Sequence, residues 1–231
     1  MRIEILAPAV LADHVAGRVA ASLRAAAQAR GQATLAVSGG RTPGRLLARL
    51  AAQPVPWDRL HVFQVDERVA PDGDPARNLT GLRAALLDHV PLPAAQAHAL
   101  PVEADDLDAA AAGYADVLRT VAGAPPVLDV VLLGLGSDGH TASLVPGDPA
   151  VEVVDREVVR TGTYQGHRRL TLTRPVLDAA RERFWLVTGG DKAVVAATLA
   201  GGGGDLVAGR LRRDGAVLFL DPPAAAGVHS A

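Results

Sequence analysis

Short apolar runs, many of them rich in β-branched residues, alternate with helix-length segments along the whole chain. This alternation is typical of βα units, in which strands pair as a mostly parallel sheet and helices cover its faces. The pattern therefore predicts an α/β fold. The predicted strands cover residues 2–6, 34–37, 60–65, 128–133, 158–161, 169–172, 184–187 and 216–220.

Helices are predicted where apolar residues recur every three or four positions. Leu11 and Val15 begin such a series in the longest segment, which Gly31 ends. Residues 66–78 are predicted as a polar loop, and the proline-rich residues 91–101 as a connector. The predicted helices cover residues 9–30, 43–50, 79–89, 105–121, 173–181 and 190–199.

Length and composition narrow the class of protein. The chain has 231 residues with neither a fixed repeat nor a break in composition, so one domain over residues 1–231 is expected. The absence of cysteine excludes disulfides, thiolate nucleophiles and cysteine-bound zinc. A net charge of −2 and 3% aromatic residues argue against nucleic acid as a partner. Without a signal-like start or a long apolar run, we expect a cytoplasmic protein with no membrane partner, as a monomer or weak homo-oligomer.

Four polar or glycine-rich segments begin where predicted strands end. They start at Ser38, Asp66, Gly134 and Thr188. In open parallel sheets, ligands bind in the crevice outside the carboxyl ends of the strands. The four segments are therefore predicted to share one pocket.

The first of these segments, residues 38–43, has the sequence SGGRTP. Gly39 and Gly40 allow a tight bend and a close approach of backbone to a ligand, and the helix that follows offers free N–H groups to an anion. Thr42 is predicted as the N-cap of that helix and Pro43 as its first residue. A phosphate site fits this pattern, and the alternative is an ordinary turn that needs glycine for its shape. A nucleotide is less favoured because the segment matches neither a P-loop nor GxGxxG.

The segment 134–143, with the sequence GLGSDGHTAS, carries the strongest chemical signal. Its glycines can hold Asp138 and His140 on one exposed loop, where the carboxylate fixes the tautomer of the imidazole. A structural histidine is the alternative. No HExxH pattern supports a metal hydrolase, and no GxSxG elbow supports a serine nucleophile.

Three further groups are candidates with ordinary alternatives. Residues 66–68 combine two acids and an arginine, which is also what a solvated turn with a local ion pair contains. Asn78 can contact a ligand or cap a helix. Lys192 lies in the first turn of a predicted helix, where the dipole does not favour a cation, so a bound anion would explain it. Both Lys192 and Arg169 can equally be exposed surface cations.

Taken together and in this order, the motifs resemble the 6-phosphogluconolactonase family. The resemblance runs from the first helix to the last strand and implies a Rossmann-like sheet shared with glucosamine-6-phosphate deaminases and ribose-5-phosphate isomerases. One departure is Arg41, where relatives usually carry serine or another small residue. The segments that carry the resemblance are residues 38–43, 66–68, 134–143 with Pro146 and Gly147 after them, 169–173 and 189–192.

The resemblance implies hydrolysis of 6-phospho-D-glucono-1,5-lactone, the second step of the oxidative pentose phosphate pathway. Lactone hydrolysis needs no metal in principle, and we expect no metal or other cofactor. We expect His140 to act as general base and then as acid. Asp138 is expected to orient it or only to shape the loop, and Arg68 to stabilise developing negative charge or to grip substrate oxygens. The residues expected to bind the sugar phosphate are Gly39, Gly40, Arg41, Thr42, Asp66, Asn78, Arg169 and Lys192.

Two other functions compete with this prediction. Amino-sugar phosphate deaminases resemble the chain around His140 but carry a glutamate five residues after the histidine, where this chain has Val145. That apolar residue argues for lactone hydrolysis. A non-catalytic sugar-phosphate sensor could keep the phosphate loop, but it would not need both Asp138 and His140.

Overall fold

A computed structural model describes residues 1–228 of the protein. Strands and helices alternate through that part of the chain. The strands are β1 (Arg2–Ile5), β2 (Ala33–Val37), β3 (Leu60–Gln64), β4 (Asp66–Arg68), β5 (Ala97–His98), β6 (Val130–Leu133), β7 (Val158–Arg160), β8 (Arg169–Leu172), β9 (Glu182–Val187) and β10 (Ala216–Leu220). The helices are α1 (Pro8–Arg30), α2 (Arg41–Leu50), α3 (Asn78–Ala85), α4 (Leu107–Ala122), α5 (Arg174–Ala179) and α6 (Ala193–Ala200).

Seven strands form one parallel sheet in the order β1-β10-β9-β6-β2-β3-β5. The predicted α/β class with a mostly parallel, helix-flanked sheet is confirmed. From β2 the chain moves to β3 on one side and later to β6 on the other, so the strand order reverses between β2 and β6. Such a reversal opens a crevice at the carboxyl ends of the strands.

Both faces of this sheet are buried along its central strands, which explains why β2, β6 and β10 are almost continuously apolar. Successive side chains of a strand point to opposite faces. In β2, Leu35 and Val37 pack with α1, α2 and α3, whereas Ala36 packs with α4, α5 and α6. The helices thus form one layer on each side of the sheet.

A second, three-stranded antiparallel sheet has the order β4-β8-β7. The prediction that all of residues 66–78 form a loop was therefore wrong for residues 66–68, which form β4. Three residues are too few to show a strand period, and β4 exists because Asp66 pairs with Thr171 and Arg68 with Arg169, about a hundred positions away. This pairing brings both elements to the crevice.

Helix boundaries also differ from the prediction in places. Thr42 is not an N-cap, because α2 begins at Arg41 with Gly40 in the cap position. The helix predicted over residues 79–89 ends at Ala85, since Leu86 leaves helical geometry before a short 3₁₀ turn.

Two other segments differ as well. The 190–199 helix starts with a 3₁₀ turn, Gly190–Lys192, before α6. The 91–101 connector contains the two-residue strand β5, which pairs with β3.

Candidate active site

A cavity of about 240 Å³ opens at the carboxyl ends of the central strands. The four segments predicted to share a pocket follow β2, β3, β6 and β9, and these strands are neighbours in the sheet. Parallel neighbours bring the loops after them to one edge. The predicted residues that line the cavity are Gly39, Asp66, Arg68, Asn78, His140, Arg169 and Lys192.

Asp138 does not line this cavity itself, but it is hydrogen-bonded to His140, which does. Nδ1 of His140 lies 2.6 Å from Oδ1 of Asp138, and the backbone N–H of His140 donates to the same oxygen at 3.2 Å. Because an ionised carboxylate only accepts hydrogen bonds, the proton must sit on Nδ1. In the neutral ring Nε2 then has a free lone pair, and the imidazole can accept a proton at that atom.

The loop around this pair needs glycine for steric reasons. A Cβ atom on Gly136 would lie 2.0 Å from Nδ1 of His140 and 2.4 Å from Oδ1 of Asp138. Gly139 has φ +83°, a left-handed conformation that disfavours other residues. The glycine-rich sequence therefore makes room for the carboxylate and the ring.

Tyr164, which sequence reasoning missed, contacts both members of the Asp138–His140 pair. Its hydroxyl donates to Oδ2 of Asp138 at 3.0 Å, and its ring meets the His140 ring edge-on at 5.4 Å between centroids. Burial alone would raise the pKa of Asp138, but the hydrogen bonds from His140 and Tyr164 bring it below its usual value. Burial and the neighbouring carboxylate raise the pKa of Tyr164. The site therefore favours an ionised Asp138 and a protonated phenol.

Asp66 is held deeper in the wall of the cavity. The hydroxyl of Ser143, a second residue that sequence reasoning missed, donates to its Oδ2 at 2.6 Å. Burial raises the pKa of Asp66, partly offset by that hydrogen bond and by the charge of Arg169. Burial in turn lowers the pKa of Arg169. Its Nε is buried and, within residues 1–228, has no hydrogen-bond partner.

Asn78 and Gly39 are packed together beside Asp66. The Asn78 side chain donates to the backbone oxygen of Asp66 at 2.9 Å. A Cβ on Gly39 would lie 1.9 Å from Oδ1 of Asn78, so only glycine fits there. Asn78 is the first residue of α3, and its side chain does not cap that helix.

Glu67 supports α3 from within the protein. The carboxylate is fully buried and accepts the backbone N–H groups of Asn78 and Leu79, each at 2.7 Å. Nε of Arg77 lies 3.2 Å from Oε2 of this carboxylate. The simple interpretation of residues 66–68 as a solvated turn is therefore wrong, because β4 is inside the fold.

The remaining predicted residues of the glycine loop lie around a neighbouring cavity. This neighbouring cavity has a volume of about 340 Å³ and is lined by Gly40 and the exposed Arg41. Gly39 and Arg68 line both this cavity and the one that contains His140. Thr42 lines neither cavity, and its hydroxyl lies 3.1 Å from that of Thr188.

Two neighbouring groups offer donors at the first cavity. The Ser38 hydroxyl, in the wall between the two cavities, is buried and lacks a partner among the described residues. Lys192 reaches the first cavity from the turn before α6. That turn is fixed by Gly189, at φ +96°, whose N–H lies 3.1 Å from each carboxylate oxygen of Asp221.

Metal-binding clusters and membrane-spanning helices are both absent from residues 1–228. No three histidine, aspartate or glutamate side chains are grouped so that they could hold a metal ion. No helix there has the length and apolar character needed to span a bilayer.

Comparison with known proteins places this chain in a family. A family model described as glucosamine-6-phosphate isomerases/6-phosphogluconolactonase matches residues 7–214. The chain belongs to this family. It is 39% identical over 235 residues to the 6-phosphogluconolactonase of Mycobacterium tuberculosis, covering 96% of this chain and 95% of that protein. The predictions of the family and of an enzyme are thereby confirmed.

Solved structures of the family agree with the fold. A 6-phosphogluconolactonase from Leishmania guyanensis superposes with a TM-score of 0.82 at 28% identity and covers 99% of both chains. A monomeric glucosamine-6-phosphate deaminase has the same TM-score at 19% identity and covers 98% of this chain and 100% of its own. The predicted sharing of one fold with the deaminases is confirmed.

Proposed function

We propose that the protein hydrolyses 6-phospho-D-glucono-1,5-lactone to 6-phospho-D-gluconate, using general acid/base catalysis without a metal. The observation that carries this proposal is the 2.6 Å contact between Asp138 and Nδ1 of His140. It leaves Nε2 as a base on a ring that lines the same cavity as Gly39 and Lys192. A base facing an anion site is what a phosphorylated lactone requires.

The reaction starts with a water molecule between Nε2 of His140 and the lactone carbonyl carbon. As its oxygen bonds to that carbon, Nε2 takes a proton and Asp138 stabilises the imidazolium. The carbonyl oxygen becomes negative in the tetrahedral intermediate. When the intermediate collapses, the bond to the ring oxygen breaks and the imidazolium returns its proton to that oxygen, which becomes a hydroxyl group.

Arg68 is our candidate for stabilising the developing oxyanion. One of its N–H groups donates to the backbone oxygen of Ala76 at 2.8 Å, which holds the guanidinium at the cavity wall. A preorganised donor at a developing oxyanion lowers the barrier by about 3–4 kcal/mol. Asp66 and Asn78 are proposed to bind sugar hydroxyls.

The phosphate is proposed to bind at the amino end of α2. Free N–H groups at Gly39 and Gly40 suit an anion, and Lys192 and Arg169 supply positive charge. The unpaired Nε of Arg169 supports this assignment, because a buried donor without a partner costs free energy. Gly40 and Arg41 line only the neighbouring cavity and Thr42 lines neither. We therefore assign the N–H of Gly40 and the side chains of Arg41 and Thr42 outer contacts to the phosphate.

The rival deaminase activity is less well supported. It would need the glutamate that Val145 replaces. Among the described residues that line the cavity, Asp66 is the one with a carboxylate. That carboxylate accepts a hydrogen bond from the Ser143 hydroxyl, so it is a poor substitute for the missing glutamate. We also propose a cytoplasmic location and a monomer or weak homo-oligomer.

The test is to generate the lactone in situ and follow its loss against the spontaneous rate, with and without a chelator. We expect His140→Ala to lower kcat by about 10²–10⁴, while affinity for 6-phosphogluconate by calorimetry is retained. His89→Ala, at an exposed histidine in a 3₁₀ turn, is the matched control. No acceleration by the wild type would reject lactone hydrolysis and leave a sensor, whereas loss of activity with the chelator would reject the metal-free mechanism.

A further inference from the structure

The turn between β7 and β8 carries a tyrosine to the catalytic pair. Tyr164 and His167 exchange two backbone hydrogen bonds, at 3.0 and 3.2 Å. Between them, Gln165 has φ +51° and Gly166 has φ +83°. Two central residues with positive φ are the signature of a tight type I′ hairpin turn. Tyr164 is therefore presented by a defined turn and not by an irregular loop.

Tyr164 is held on three sides. Its hydroxyl donates to Oδ2 of Asp138 at 3.0 Å, and its ring lies edge-on to His140. The guanidinium carbon of Arg169 lies 5.2 Å from the ring centroid, and one of its N–H groups donates to the Tyr164 backbone oxygen at 3.3 Å. These contacts orient the phenol toward Asp138.

We propose that Tyr164 is a positioning residue for the proposed hydrolysis, acting on His140 through Asp138. The inference rests on the function proposed above. Asp138 is on a surface loop with its side chain 36% exposed, so water competes for its oxygens. His140 occupies Oδ1 and Tyr164 occupies Oδ2. With both oxygens engaged, the carboxylate cannot rotate away from Nδ1, and the imidazole keeps the tautomer that leaves Nε2 basic.

The charges around the pair are consistent with this role. The hydrogen bond from Tyr164 ends on an ionised carboxylate, and such bonds are stronger than those between neutral groups. At 3.0 Å it is a long member of that class. The cation that faces Tyr164 is Arg169, and this cation also lies near Asp66. The phenol thus connects the Asp138–His140 pair to the deeper Asp66–Ser143–Arg169 cluster.

The first test is Tyr164→Phe, which keeps the ring and removes only the hydroxyl. We expect kcat to fall by about five- to tenfold, as for loss of one hydrogen bond of ordinary strength, because the bond is 3.0 Å long. KM is expected to stay within about twofold because the binding groups stay in place. Thr163→Val, which removes a hydroxyl from an exposed residue of the same turn, is the control. In an Asp138→Asn background, Tyr164→Phe is expected to change kcat by less than about twofold, because residues that act together are not additive.

A second readout does not depend on turnover. Nitrogen NMR of the His140 ring is expected to show the Nδ1–H tautomer in the wild type and a larger Nε2–H population in Tyr164→Phe. An unchanged tautomer together with unchanged kcat would overturn the inference, as would a loss confined to KM or full additivity with Asp138→Asn. If the wild type lacks lactonase activity, the proposed function fails, and an unchanged tautomer would separately refute the positioning role.

Discussion

Replacing Gly136 by alanine is expected to disable catalysis while leaving the protein folded. The added Cβ would lie 2.0 Å from Nδ1 of His140 and 2.4 Å from Oδ1 of Asp138. Since Cβ atoms essentially never approach within 3.0 Å of such atoms, the imidazole must retreat by about 1 Å or more. The backbone at Gly136 has no positive φ, so alanine itself is permitted there.

The size of the effect follows from that displacement. A catalytic group misplaced by about 1 Å costs roughly 10²-fold in rate, so we expect kcat for lactone hydrolysis to fall about a hundredfold. The clashing atoms are the ends of two side chains at a cavity and can move. Overpacking costs about 1–3 kcal/mol, and the lower end is expected here.

The assay compares kcat and the free energy of unfolding in urea for the wild type, Gly136→Ala and a matched control. Gly113→Ala adds the same methyl group to an exposed position of α4 where nothing lies within 4 Å. The control is expected to keep full activity and gain about 0.5–1 kcal/mol of stability. If Gly136→Ala retained more than about a third of the wild-type kcat, our assignment of the Asp138–His140 geometry to catalysis would be wrong.

Two stability predictions concern groups outside the reaction, the buried Glu67 and the half-buried His98. Glu67→Ala leaves Arg77 and the start of α3 without their carboxylate, and we expect the free energy of unfolding in urea to fall by about 3–5 kcal/mol. The control is Glu103→Ala, at the half-exposed second partner of Arg77, where we expect a loss of less than about 1 kcal/mol. Equal losses of stability in the two variants would contradict the role of Glu67. Burial, with the neighbouring His61, lowers the pKa of His98 to about 4, from 6.5. The unfolded state therefore binds more protons between these values, and stability falls as the pH drops through that window. From pH 7 to 5, His98→Gln is expected to lose about 1 kcal/mol less than the wild type, after allowance for partial exposure, and equal losses would refute this.

Local sequence determined the elements and the positions of the loops. The periodicity of apolar residues is a local property, so β8 and β10 were predicted with their observed bounds, and most other strands to within a residue or two. The glycine-rich segments that follow strands are also a local feature of the sequence, and they predicted where the crevice lies. The spacing of Asp138 and His140 in one loop already indicated their contact.

Only the tertiary structure decided which distant groups complete the site. Tyr164 is 26 positions from Asp138, and Ser143 is 77 positions from Asp66. Tyr164 belongs to no sequence motif, and the motif that contains Ser143 does not show that its partner is Asp66. Both partners are set by how β4 and β8 pair beside the main sheet. Sequence periodicity records which side of an element is buried, whereas the contacts of a side chain across the crevice depend on the packing of elements far apart in the chain.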